Sequence, residues 1–207
     1  MKRILCCLFL ALAPLVAAQT LTLSGPASAK AGATITVPLT LSGAAAAAAL
    51  QWQLVLPSGS TATAAIGAAG TAATKSLACS SDASFCLEYG QNVNVINAGV
   101  AATYTVHLPA NASPGTATIG LSNLLGASAA GVAVPITAGA AYSFTIADRR
   151  DLNGDGAVNT ADVTAMQNEV IAAQANPAAC ADDQNGDGAC NLLDLLAVLL
   201  KALGLVP

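Results

Sequence analysis

The sequence predicts a mainly β protein, a two-sheet sandwich, followed by a small C-terminal α part built of two loop–helix units. Three observations carry this. Apolar residues alternate with Thr, Gln and Ser at period two along much of residues 19–147. Charge is segregated: Gln19–Ala147 holds only Asp82, Glu88, Lys30 and Lys75, whereas the other nine acids lie in 148–207. A twelve-residue loop is written twice, DLNGDGAVNTAD at 151–162 and DQNGDGACNLLD at 183–194.

Residues 1–18 have the layout of an export signal: Lys2 and Arg3, the apolar run ILCCLFLALAPLV, then small residues ending at Ala18, after which cleavage is expected. A lipoprotein reading of Cys6 or Cys7 does not fit, because almost no apolar segment precedes either. No other stretch offers about twenty uninterrupted apolar residues, so no membrane-spanning helix is expected. A secreted, extracellular protein follows. Of six cysteines, Cys79, Cys86, Cys180 and Cys190 remain after the leader. An even number in an oxidising compartment predicts disulfides, and three connectivities are open. The local pairs Cys79–Cys86 and Cys180–Cys190 are favoured because each closes a short loop, stabilising by about 2–3 kcal/mol. The charge shift puts the domain boundary at Ala147–Asp148, giving 19–147 and 148–207.

The strands read as TLTLSG, ATITVPLTLSG, ALQWQLVLPSG, VAATYTVHLPA, GTATIGLS and AYSFTIA, punctuated by Gly, Pro, Ser and Asn. In ALQWQLVL, Leu50, Trp52, Leu54 and Leu56 share one face and Gln51 and Gln53 the other. Ala102, Tyr104, Val106 and Leu108 oppose Thr103, Thr105 and His107, and Tyr142, Phe144 and Ile146 line one face of the last strand. Eight or nine such strands, each with one buried face, make a sandwich; Ala44–Ala49 reads as a connection into the Trp52 strand. The aromatic residues Trp52, Tyr104, Tyr142 and Phe144 are expected in the core rather than in a sugar-stacking row. His107 is expected as a solvated strand residue.

The stretches SGPASAKAGATITVPLTLSG, the Trp52 strand and INAGVAATYTVHLPANASPGTATIGLS resemble a cohesin-type domain, and the resemblance covers most of residues 20–147. It implies a jelly-roll sandwich of the cohesin or carbohydrate-binding-module kind.

The repeated loop has the chemistry of a calcium site. Calcium takes several oxygen ligands at once, so a loop must turn tightly and aim alternate side chains inward. In the first copy Asp151, Asn153 and Asp155 stand at positions 1, 3 and 5, and Gly156 permits the bend. The Ala157 carbonyl serves position 7, Asn159 acts through a water at 9, and Asp162 closes the shell at 12. The second copy repeats this with Asp183, Asn185, Asp187, Gly188, the Ala189 carbonyl, Asn191 and Asp194. Two calcium ions are therefore expected.

Position 12 is Asp where an EF-hand has Glu, and neither loop follows a clear helix. A calcium loop followed by a helix, written in tandem over residues 150–204, resembles a type I dockerin domain. That resemblance implies a calcium-folded module whose loop exits and helices contact a cohesin-like partner. The matching positions are Thr160, Ala161, Gln167 and Asn168 in the first unit, and Leu192, Leu193, Leu199 and Leu200 in the second. Helix one is amphipathic through Val163, Met166 and Val170. Helix two, LLDLLAVLLKALGL, is apolar almost all round, so Leu192, Leu193, Leu196, Leu199, Leu200 and Leu203 are expected to meet either the chain's own sandwich or a partner.

Catalysis is not expected. Glycoside hydrolysis needs two carboxylates flanking a cleft, and the β part offers only Asp82 and Glu88. No nucleophile elbow, phosphate loop or zinc motif is present. No nucleic-acid partner is expected. The leading reading is a non-catalytic assembly protein acting in another chain or its own. The alternative is a carbohydrate-binding or accessory component of extracellular polysaccharide degradation.

Overall fold

The computed structural model describes residues 18–44 and 46–206, and the expected export signal, apart from Ala18, lies outside them. Alternation builds the first region. Its strands are β1 (Gln19–Leu23), β2 (Ser28–Lys30), β3 (Thr34–Ser42), β4 (Ala49–Val55) and β5 (Thr61–Ile66). After a short helix, α1 (Ala68–Ala72), come β6 (Ser76–Cys79), β7 (Phe85–Tyr89), β8 (Gly99–His107) and β9 (Gly115–Ala127). β10 (Ala133–Val134), β11 (Ile136–Ala138) and β12 (Tyr142–Ala147) complete the set. One sheet runs β11-β1-β3-β8-β5; the other runs β2-β12-β9-β4-β7-β6, with β10 paired to β9. Pairing is antiparallel except β1 with β11 and β12 with β2.

The sandwich therefore has more strands than the alternation predicts. β2, β10 and β11 are only two or three residues long, too short to show a period. The alanine run is a connection, as read: Ala47 and Ala48 are buried, and the Ala47 N–H donates to Gln19 Oε1 at 3.0 Å.

The inward faces of both sheets make one core. Leu50, Trp52 and Leu54 of β4 meet Ala102, Tyr104 and Val106 of β8 among its buried residues. Each large side chain fully buried there contributes roughly 1.5–3 kcal/mol. Leu56, expected on that face, is only half-buried because β4 ends at Val55. The polar tips of Trp52 and Tyr104 are satisfied inside the core. Trp52 Nε1 donates to the Tyr104 hydroxyl at 2.6 Å, which in turn donates to Cys86 Sγ at 3.3 Å. Tyr142 and Phe144 stack with centroids 5.3 Å apart. His107 is exposed and paired with the Thr34 hydroxyl.

Two features depart from the sequence reading. The α1 helix lay hidden in a stretch of Ala, Gly and Thr with no apolar period. Glu88, one of the two acids of the β part, points from β7 into the core and is fully buried. Gly70 of α1 lies against its carboxylate, leaving no room for a side chain there. Burial pushes the Glu88 carboxyl up to about 7, with the Lys75 charge pulling the other way.

Beyond β12 the chain forms α2 (Thr160–Ala175), a 3-10 turn (Pro177–Ala179) and α3 (Leu192–Ala202). Asn176 and Pro177 stop α2, since proline cannot continue the ladder. Met166, Val170, Ala173, Cys190 and Val198 make a second, smaller core, joined by Leu152, Val158, Val163, Cys180 and Leu195. Both local disulfides are present, Cys79–Cys86 and Cys180–Cys190.

Candidate functional site

Each repeated loop folds around its first aspartate. Asp151 Oδ1 accepts the Gly154 N–H at 2.8 Å and Oδ2 the Gly156 N–H at 2.8 Å. Asp183 does the same with Gly186 at 2.6 Å and Gly188 at 2.7 Å. Such turns need the left-handed backbone of the sixth residue, with φ of 92° at Gly156 and 87° at Gly188. Asp155 Oδ2 receives the amide nitrogens of Asn153 and Asn159, and Asp187 Oδ2 those of Asn185 and Asn191.

The ninth and twelfth residues carry a second duty that the ligand reading missed. Asn159 Oδ1 accepts from Ala161 N at 2.8 Å while Asp162 Oδ2 accepts from Asn159 N at 2.8 Å. This is a capping box on α2, and Asn191 with Asp194 builds the same box on α3. The spacing Asn-x-x-Asp ahead of a helical run was the available signal. Asp162 and Asp194 are fully buried, and the Oδ1 of each also accepts two N–H groups from the start of its own loop. Each loop is thereby closed onto the first turn of its helix.

The donor set suits a hard cation. Asp183, Asp187 and Asp194 bring one carboxylate oxygen each within 4.8 Å of one another. Among the described residues the first loop's Asp151, Asp155 and Asp162 do not reach that convergence, although their hydrogen bonds match. The Ala157 N–H, followed by the Asn153 amide, holds the Asp155 carboxyl below its usual range; the Gly188 N–H leads the same effect at Asp183. At Asp187 the Asn185 and Asn191 amides lower the pKa, with the Asp183 charge opposing. The all-oxygen donor set of the second loop fits a hard cation such as calcium, and the first loop carries the same donor residues.

A third cluster was not foreseen. Glu169 of α2 accepts the N–H groups of Ala181 and Asp182, fastening α2 to the chain that enters the second loop, and its carboxylate lies 3.5 Å from the disulfide sulfur of Cys190. Nothing in its spacing announces this; the contact exists only once the helices pair.

The expected partner positions lie on the surface. Thr160, Ala161, Gln167 and Asn168 are exposed on α2, and Leu192, Leu193 and Leu199 on α3, with Leu200 half-buried. Leu196 and Leu203 are exposed as well. Of the two coverings expected for this helix, the chain's own sandwich does not supply one: Leu192 is 71% exposed. The sandwich has its own apolar face, where Phe85, Leu87 and Tyr89 of β7 flank Gln51 of β4 and Leu125 of β9. Leu125 lies ten residues along β9 from Gly115, about 33 Å from the end that pairs with β12.

Comparison with known proteins agrees with both halves. Residues 149–201 match the family model "Dockerin type I domain". No curated protein sequence matches the chain. Among solved structures, a non-cellulosomal cohesin from the hyperthermophilic archaeon Archaeoglobus fulgidus superposes with a TM-score of 0.53 at 14% identity, over 66% of this chain and 96% of that one. A type I cohesin–dockerin complex from Clostridium thermocellum gives 0.52 at 14% identity, over 62% and 93%. The third ScaB cohesin of R. flavefaciens, in complex with a group 1 dockerin, gives 0.52 at 17%, over 64% and 96%. The chain is thus a cohesin-like β-sandwich followed by a segment with the dockerin type I pattern.

Proposed function

We propose that this is a secreted, non-catalytic assembly protein whose residues 148–207 form a calcium-ordered docking module carried on a cohesin-like sandwich, residues 19–147. One observation carries the reading: a helix started by a calcium-type loop presents a row of leucines that the chain leaves uncovered. Asp151, Asn153, Asp155, the Ala157 carbonyl, Asn159 and Asp162 hold one ion. Asp183, Asn185, Asp187, the Ala189 carbonyl, Asn191 and Asp194 hold the second. Calcium supplies the charge that lets crowded carboxylates share one loop, so the helices keep their shape only when it is bound. The partner is a cohesin-like sandwich in another chain, contacted through Leu192, Leu193, Leu199 and Leu200, with Thr160, Ala161, Gln167 and Asn168 flanking.

The two carboxylates of the sandwich do not face one another across a cleft. Glu88 faces the core, while Asp82 faces solvent and is held to about 2 by the Ser80 hydroxyl, then by the Ser84 N–H and hydroxyl. Trp52 and Tyr104 are fully buried and cannot serve as a sugar platform, which leaves Phe85 and Tyr89 of β7 as the exposed aromatics that the carbohydrate-binding alternative would use. Capture of the full-length protein on immobilised cohesin-type sandwiches, this chain's own included, tests the proposal. Binding should require calcium and vanish in a Leu193→Asp/Leu199→Asp variant. Equal retention of that variant, or retention in chelator, sinks it.

A further inference from the structure

The bases of this chain are few and unevenly placed. Beyond the leader they are Lys30, Lys75, Arg149, Arg150 and Lys201, and all but Lys75 line the cavities where the sandwich meets the C-terminal segment. Lys30, at the end of β2, pairs with Asp182 at 3.1 Å. The Arg149 guanidinium donates to the carbonyl of Asp183, the first residue of the second loop. Gln184, the next residue, is buried; its side-chain amide donates to the Arg149 carbonyl at 3.3 Å and to the Asp182 carbonyl at 3.1 Å. Its own N–H donates to Asp194 Oδ1 at 2.8 Å, the carboxylate that closes the loop.

A continuous path of polar contacts therefore runs from the sandwich through Lys30 and Arg149 to both ends of the second calcium loop. The first loop is built differently at the matching place. Its second residue is Leu152, which packs into the core of the helix pair and has no side-chain amide to donate. Between the β2–β3 turn and the second loop lies a cavity of about 380 Å³ lined by Lys30, Gly32, Ala110, Arg149 and Asp182. Long polar side chains, not packed apolar surface, span it. A junction of that kind holds its angle only while both anchor points are rigid.

We propose that Lys30, Arg149 and Gln184 couple the second calcium loop to the sandwich, so that occupancy of this loop fixes the angle at which α3 is presented. The inference rests on the calcium reading of the loops given above. Coupling between sites is reciprocal. If an ion in the second loop stiffens the joint, the joint must in turn raise the affinity of that loop for its ion.

Calorimetric titration of the full-length exported protein with calcium chloride tests this, alongside a Lys30→Ala/Arg149→Ala variant and a Lys201→Ala variant. Lys201 pairs with Asp148 at 3.4 Å, at the same joint but off the path to the loop. The double variant should bind calcium about fivefold more weakly at one of two sites, with the other unchanged. Lys201→Ala should leave both affinities within about twofold of the parent, a window small against the coupling expected. Small-angle scattering with calcium should show a wider spread of shapes for the double variant alone. Unchanged affinity at both sites, or an equal fall at both, overturns the coupling and leaves the calcium reading standing. No calcium binding by the parent protein overturns both. Circular dichroism of the double variant in saturating calcium excludes misfolding, since its helical signal should match the parent's.

Discussion

The sandwich and the helix pair reach a folded state by different means. The sandwich closes two sheets over a large apolar core that includes Trp52, Tyr104 and seven buried leucines. The helix pair has five buried core residues, one of them a disulfide cysteine, and leaves most of its leucines in water. The first stands on burial. The second has a small core with a disulfide staple and, on the proposed reading, needs charge neutralisation in its loops, as small modules commonly do. A protein built this way can lose its helix pair without losing its body.

Removing calcium should give the largest contrast. Chelation should abolish the helical circular dichroism signal of α2 and α3 while the thermal transition of the sandwich survives. Loss of both together, or of neither, would break the comparison. Next comes Trp52→Ala, which should destabilise the sandwich by about 3–5 kcal/mol in denaturant unfolding and leave calcium affinity unaltered. Opening Cys180–Cys190 with a double Ser substitution should cost the helix pair about 2–3 kcal/mol and the sandwich nothing, read from the two transitions.

Acid should act on the two regions with opposite sign. Glu88 titrates at about 7 in the fold, above its ordinary 4.5, so its burial favours the protonated form. The stability this contributes is complete below the ordinary value and is lost as pH rises through 7. Acidifying from pH 8 to pH 5 should therefore stabilise the sandwich, by about 2 kcal/mol after allowance for screening, and Glu88→Gln should remove that slope. Asp155, Asp183 and Asp187 are shifted down, so what they contribute is present above the ordinary carboxylate value and is lost as pH falls below it. The helical signal should fade in acid while the sandwich holds.

What the sequence revealed and what it hid follow from range. The repeated loops are local, since Asp183, Asn185, Asp187 and Asp194 lie within twelve residues and the turns they form follow from their spacing. The strands are nearly as local: Leu50, Trp52 and Leu54 alternate in the chain and are buried in the fold. Glu88 was half legible. Cys86 faces inward and Glu88 follows it by two on the same strand, so the period of β7 places the carboxylate inside. Composition argued otherwise, because an acid is rarely buried. The sequence named the leucines but left their cover open, because an all-round apolar helix says that something covers it and not what. The polar path from Lys30 to Gln184 joins residues about 150 apart, and only the folded joint reveals it.

The pairing of Trp52 with Tyr104 has a practical consequence. Trp52 is the sole tryptophan of the chain, and it sits at full burial with its indole N–H already bonded. Its fluorescence reports the integrity of the sandwich and nothing else, emitting from an apolar site until the two sheets part. The helix pair has no tyrosine or tryptophan of its own. Calcium titrations can thus be followed in the far ultraviolet while the emission of one indole certifies, in the same cuvette, that the body has stayed intact.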